Sequence, residues 1–250
     1  MFRKRPIFLD RPARAHHRAG RAFLPKLFVL LVLLFAGGVA SAQVSGSVSL
    51  VSDYIYRGVS LSNDNPEAQL TLNADFDSGW FAGLFASPID LPSSHGLAIA
   101  YGGYARQLTS ELSWEAGVSD TAYAEAAGQD YAEIFAGLSS DRFNGRLYYS
   151  PNYLGQSLHS IYGELNFNQP LNADWRLVAH AGYLSLPSQS GSGRGGSASH
   201  GDARVGVAYH AGDWNLQWAL ASERKTTVDA YYYPHVSRHY VGVFDAAWNF

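Results

Sequence analysis

A hydrolytic site needs a hydroxyl, a histidine within hydrogen-bond reach and a group to orient it. Beyond residue 42 this chain offers His95, His159, His180, His200, His210, His235 and His239. His159 and Ser160 are adjacent, but neighbouring residues of a strand point to opposite faces and cannot act together there. His180 and His210 fall on one face of two successive strand-like segments. The first lies past mid-strand and the second near a strand end, and spacing places no serine or acid with them. His235 and His239 have a four-residue spacing that a metal could use on a helix, yet they sit in a loop entering a strand. No EF-hand loop, His-Glu-x-x-His or phosphate-binding glycine loop occurs. Asp120, Glu125 and Asp130 read either as a solvated acidic loop or as a site for divalent cations that bridge lipopolysaccharide. Gly191 to Gly196 has linker composition, and Tyr231-Tyr232-Tyr233-Pro234 reads as an aromatic loop tip. The chain has no cysteine, which excludes a disulfide scaffold and a lipoprotein anchor. No catalytic residue, metal or cofactor is expected.

The elements that must position these residues are strands. From Glu67 to Phe76 every odd residue is polar and every even one apolar. That period of two gives one wet face and one oily face. It recurs at Leu112, Trp114, Ala116 and Val118, at Trp175, Leu177, Ala179, Ala181 and Tyr183, and at Trp214, Leu216, Trp218 and Leu220. Twelve such segments lie near 44–58, 67–77, 80–88, 96–107, 111–121, 130–138, 143–151, 157–167, 174–185, 202–210, 213–222 and 238–250. Most are close to the roughly 9–11 residues that a tilted strand needs to cross hydrocarbon. Short turns follow every second segment, and longer polar links follow the others, the longest being Pro187 to Gly201 and Glu223 to Ser237. Outer-membrane barrels alternate short periplasmic turns with long outer loops. Trp80, Trp114, Trp175 and Trp214 each follow a short turn and would form one interfacial belt. Tyr54, Tyr56, Tyr101, Tyr104 and Tyr183 would supply the opposite one. A soluble β-sandwich also alternates, but it needs neither tryptophans gathered at one end nor an aromatic last residue.

Both ends of the sequence agree with this reading. At the C-terminus Phe244, Ala246, Trp248 and Phe250 share a face, while Asp245 and Asn249 share the other. A closing strand of this pattern resembles the signal read by the barrel-insertion machinery, with Phe244, Trp248 and Phe250 as its aromatics. Residues 1–26 are basic, Leu27 to Phe35 are apolar, and Ala40-Ser41-Ala42 is a small-residue cleavage site. This predicts a signal peptide cut after Ala42, followed by one barrel domain over 43–250. The signal carries eight of the 18 basic residues and one of the 21 acidic ones. The remaining 208 residues therefore hold 10 basic and 20 acidic groups, a net charge of −10. That balance argues against a nucleic-acid partner.

With the apolar faces in lipid, the polar faces line a lumen. Its charged candidates are Asp53, Arg57, Glu67, Asp75, Glu115, Glu133, Arg146, Glu164, Arg176, His180 and Arg204. They form either a structural ion-pair network or the wall of a narrow polar pore with a slight preference for cations. Asp53 and Arg57 are about 13 Å apart along a strand, too far to pair directly. Each would pair across to a neighbouring strand, with Glu67 or Asp75 as candidates for Arg57. Gly58 would serve a bulge or bend at the outer rim.

Ser52-Asp53-Tyr54-Ile55-Tyr56-Arg57-Gly58-Val59-Ser60, followed by Pro66-Glu67 and the alternating run Gln69 to Asp75, resembles the opening of the Gcw_chp family of proteobacterial conserved hypothetical proteins. The resemblance implies a barrel in the outer membrane. It brings no established activity and no functional residues. The motif itself reads as a rim lock ordering the first hairpin, or as a ligand site.

The expectation is a single all-β antiparallel transmembrane barrel of about 12 strands, both termini periplasmic, in the outer membrane of a Gram-negative bacterium. Its partners would be membrane lipid, lipopolysaccharide, the insertion machinery and small solutes. A narrow porin-like channel is the leading role. A lipid-modifying enzyme and a plugged structural or adhesive barrel acting through its outer loops are the alternatives.

Overall fold

The computed structural model describes residues 42–186, 199–223 and 239–250. The signal segment, Gly191 to Gly196, the Tyr231 to Pro234 tip and His235 lie outside the described residues. Twelve strands form the wall: β1 (Ala42–Val51), β4 (Glu67–Phe76), β5 (Trp80–Leu91), β6 (Ser94–Gln107), β7 (Ser113–Tyr123), β8 (Tyr131–Ser139), β9 (Phe143–Tyr153), β10 (Leu158–Pro170), β11 (Trp175–Ser185), β12 (His200–Ala211), β13 (Trp214–Glu223) and β14 (His239–Asn249). Two short strands, β2 (Ile55–Tyr56) and β3 (Val59–Ser60), form a separate hairpin. Each wall strand pairs antiparallel with its neighbours, and β1 pairs with both β4 and β14, so the barrel is closed. Closure leaves no strand edge, which lipid requires because an unpaired backbone group there costs several kcal/mol.

The seam is completed by the last residue. Gly46 and Phe250 exchange two backbone hydrogen bonds of 2.9 Å, beyond the last register pair Ser47–Asn249. Deleting Phe250 removes both bonds and its outward ring. We expect a smaller folded fraction, read as loss of the heat-modifiable band on unboiled gels, with full recovery for Phe250→Tyr.

The period of two decides which way each side chain points. Val44, Leu50, Val118, Ile134, Leu147, Leu165, Val205 and Leu220 are each at least half exposed on the outer face. Water would oppose such a continuous apolar band at roughly 25 cal/mol per Å², and hydrocarbon would not. Rings gather at the end bearing the short turns. Trp80 lies 5.4 Å from Tyr104, Tyr104 lies 6.0 Å from Trp114, and Trp175 lies 4.9 Å from Tyr209. Trp218 lies 5.3 Å from Phe244, and Trp248 lies 5.2 Å from Phe250.

Four of the five tyrosines expected in the opposite belt lie elsewhere. Tyr104 belongs to the short-turn girdle, and Tyr54, Tyr56 and Tyr101 line the bore. Tyr183 is exposed near the other end, as are Tyr149, which stacks on His159, and Tyr240.

The first segment is also shorter than its pattern suggested. β1 ends at Val51 rather than at residue 58, because Ser52 bonds back to Phe244 and the chain then turns inside the barrel. Two links expected to be long are short. β5 and β6 run on until only residues 92–93 separate them, and residues 154–157 join β9 to β10.

Candidate functional site in the barrel lumen

Residues 52–66 cross the bore. The turn Tyr56-Arg57-Gly58-Val59 has positive φ at both central residues, 50° at Arg57 and 75° at Gly58. A two-residue hairpin turn of this hand matches strand twist and favours glycine at its second position. Arginine pays a conformational penalty there, and its side chain supplies the compensation. Arg57 makes a bidentate pair with Glu133 of β8, at 2.9 and 2.6 Å. Its guanidinium lies 4.5 Å from the centroid of Tyr162, 5.0 Å from Tyr56, 5.2 Å from Tyr148 and 5.9 Å from Tyr153. Aromatic faces attract cations electrostatically, more so when water is excluded. Arg57 and Glu133 are both buried. The Arg57 carbonyl accepts a 3.0 Å hydrogen bond from Nε2 of His200 on β12. The hairpin thus starts between β1 and β4 and is clamped on the opposite wall.

Its base is held differently. Ser60 and Ser62 donate to Oδ1 of Asp53 at 2.6 and 2.8 Å, and Ser62 Oγ accepts from the Tyr54 backbone N–H at 2.8 Å. Asp53 therefore pairs within its own loop, not across strands. Its Oδ2 is buried with no partner among the described residues. Burial pushes the Asp53 carboxyl above its usual range, and the two serine hydroxyls offset part of that rise. With the folded pKa raised, the native state holds this proton more tightly than the unfolded chain. The stability it confers is complete below about pH 4, the unfolded value, and is lost as pH rises through the folded value. Asp53→Asn keeps an acceptor for both serines and removes the charge. We expect the variant to gain stability over wild type as pH is raised from 4 to 7, measured by denaturant midpoints at both values.

An apolar cluster surrounds the hairpin. It includes Tyr54, Val59, Leu61, Ile89, Leu97, Tyr123, Tyr131, Leu154 and Leu184. It fills the bore near the end opposite the short turns. Beyond it, toward the short-turn end, lies a cavity of about 500 Å³. Its lining includes Asp53, Glu133, Glu164, Asp202 and Asp245 against Arg57, Arg146 and Arg204.

The charged candidates separate into groups. Arg57 pairs with Glu133, correcting the expected partners Glu67 and Asp75. Glu67 sits opposite Val51 at the start of β4, and Asp75 is exposed near the short-turn end. Arg146 makes a bidentate contact with Glu115. Glu164 accepts a 3.2 Å hydrogen bond from Tyr148. His180 is held between Asp202, 2.6 Å from Nε2, and Asn166, 2.8 Å from Nδ1. An acid does therefore stand with His180, from a position that spacing alone did not single out. His210 lies six residues beyond the Arg204 that opposes His180, about 20 Å along β12. Arg176 and Arg204 are exposed.

Outside the bore, His159 contacts Tyr149 on the outer face while Ser160 is buried. The acidic trio does not converge either. Asp120 lies within β7, Glu125 pairs with His95 at 3.0 Å, and Asp130 accepts from the Tyr123 N–H. Gly58 is not at a rim. It sits against β12, where a Cβ would come within 2.6 Å of the Asp202 Cβ. Sequence reasoning missed Asp202, Tyr148 and Tyr162 and gave His200 no inward role. All four share strand parity with Arg204, Arg146 or Glu164, which is the signal that could have found them.

A closed twelve-stranded antiparallel barrel with an apolar exterior and a charged bore defines a β-barrel of the transmembrane type. The chain belongs to the Gcw_chp family, described as bacterial proteins of unknown function, which it matches over residues 35–249. The comparison with curated proteins gave no match. Among solved structures it is similar to a KdgM porin, with a TM-score of 0.52 and 10% identity over 82% of this chain and 98% of that one. A NanC porin gives a TM-score of 0.52 and 11% identity with the same coverage. At such identities the likeness is one of fold.

Proposed function

We propose that this protein is a narrow outer-membrane channel for small solutes, with its termini and short turns on the periplasmic side and the hairpin near the outer mouth. The observation that carries the reading is the charged cavity of about 500 Å³ inside a closed barrel, on the short-turn side of the hairpin. That volume lies in the range of small-molecule sites. The fold shared with two porins supports the same reading. The signal segment and the C-terminal pattern support delivery to the outer membrane by the insertion machinery, and the apolar belt supports contact with lipid and lipopolysaccharide. The His180–Asp202 pair is absorbed into a hydrogen-bond network with Tyr162 and Asn166, which favours a wall element over a catalytic one.

The apolar cluster around the hairpin favours a second reading, a plugged barrel that acts through its outer links. Planar-bilayer recording separates the two. The channel reading predicts discrete current steps from the purified folded chain. In a KCl gradient the reversal potential should favour K⁺, because lining carboxylates outnumber guanidiniums five to three. Silent bilayers holding folded protein would remove the channel.

A further inference from the structure

We infer that the bore binds an organic cation of the guanidinium or alkylamine class, carried on a planar or apolar body, with Glu164 as its carboxylate. The inference rests on the bore being the solute path and adds the class of solute.

A row of aromatic rings runs round the inner wall. Phe81 lies 6.4 Å from Phe135, Phe135 lies 5.7 Å from Tyr148, and Tyr148 lies 6.1 Å from Tyr162. The row is continuous because two inward positions beneath it lack side chains. A Cβ at Gly103 would meet the Phe81 ring at 2.8 Å, and one at Gly117 would meet the Phe135 ring at 2.6 Å.

The protein already places two guanidiniums on this row. Arg57 lies over Tyr148 and Tyr162, and Arg146 lies 5.6 Å from the Phe135 centroid. Each also has a bidentate carboxylate, Glu133 for Arg57 and Glu115 for Arg146. Face and fork together are the chemistry that selects a planar cation.

Glu164 is a further carboxylate beside the row, and among the described residues no arginine pairs with it. Its cross-strand partner in the register is Arg146, which turns away to Glu115. Its hydrogen bond among the described residues comes from the neutral Tyr148 hydroxyl. It borders the cavity together with Tyr148, Tyr162 and Asn166. The buried, unpartnered Oδ2 of Asp53, another residue lining the cavity, adds to the demand for a donor-bearing occupant. Of the lining guanidiniums, Arg57 and Arg146 are both neutralised, so an anionic solute is left to Arg204, away from the row.

The test is calorimetric titration of agmatine into the full chain folded in detergent, with glutamate and xylose as anionic and neutral comparators. Agmatine should bind saturably and more tightly than either, and Glu164→Gln should weaken it about tenfold, the loss of one charge-assisted contact. Should that variant fail to give a heat-modifiable band, Tyr148→Leu removes the ring instead and should weaken binding several-fold. Agmatine binding no tighter than glutamate, or unchanged in a folded variant, overturns the inference. Because binding is read without a membrane, a barrel that binds agmatine yet passes no current would sink the path and leave the site. A conducting barrel indifferent to agmatine would do the reverse.

Discussion

Arg57→Ala is expected to raise single-channel conductance several-fold. In the native protein the guanidinium is the hairpin's main anchor on the far wall, through both oxygens of Glu133 and the faces of four tyrosines. Truncation leaves the Glu133 carboxylate buried at 3% exposure with no counter-charge. Breaking a buried pair from one side costs about 3–5 kcal/mol. The barrel wall does not depend on that pair, since its strands are held by their own ladders. The cost therefore falls on the docked hairpin, which undocks and lets water reach Glu133. Conductance should rise and selectivity for K⁺ should increase, because a neutralised carboxylate becomes a free one. Glu133→Gln in the Arg57→Ala background removes the exposed charge. It should keep the larger conductance while lowering the selectivity. Bilayer recordings of the three proteins in a KCl gradient check both numbers.

Gly58→Val is expected to convert a protease-resistant barrel into one cut within its first loop. The substitution acts twice. A β-branched residue is strained at φ 75°, and its Cβ would lie 2.6 Å from the Cβ of Asp202, held on a wall strand. Arg57 itself is untouched, so its peptide bond remains a trypsin site. In the wild type that bond is inside the barrel, with the Arg57 carbonyl bonded to His200 and the side chain buried. The variant should show cleavage after Arg57 under conditions that leave wild type intact, detected by mass spectrometry of the detergent-folded protein. Conductance should rise as for Arg57→Ala. Equal resistance in the two proteins would mean that the hairpin does not depend on this turn.

The wall was readable from the sequence because a barrel strand obeys a local rule. Polar and apolar residues alternate, so Gln69, Thr71 and Asn73 had to face one way and Leu70, Leu72 and Ala74 the other. Tryptophans after short turns marked one end for the same reason. The site was readable only in part. Glu115, Glu133, Arg146, Glu164 and His180 were assigned to the inner face by parity, but parity says nothing about partners across a closed wall. Arg57 meets Glu133 76 residues away because the chain leaves the wall at Ser52 and folds inward. Ser52 to Ser60 alternates well enough to pass for the end of a strand. Nothing local distinguishes a strand that continues from one that turns into the bore, except a glycine at 58 whose need for positive φ shows only in the turn. Tyr54, Tyr56 and Tyr101 were assigned to a lipid-facing belt on composition. A tyrosine serves equally well at a headgroup and around a buried guanidinium, so only topology could decide.

The central claim is that solute passes through the bore, past the hairpin. The chain contains no cysteine, so a single introduced thiol reports its position without background. Thr71 lines the cavity, and Leu72 belongs to the opposite face of the same strand. In bilayer recordings of Thr71→Cys, a bulky charged methanethiosulfonate is predicted to cut the current sharply. Leu72→Cys should be unaffected. Loss of current from both, or from neither while mass spectrometry shows Thr71→Cys to be modified, would contradict a path through the lumen.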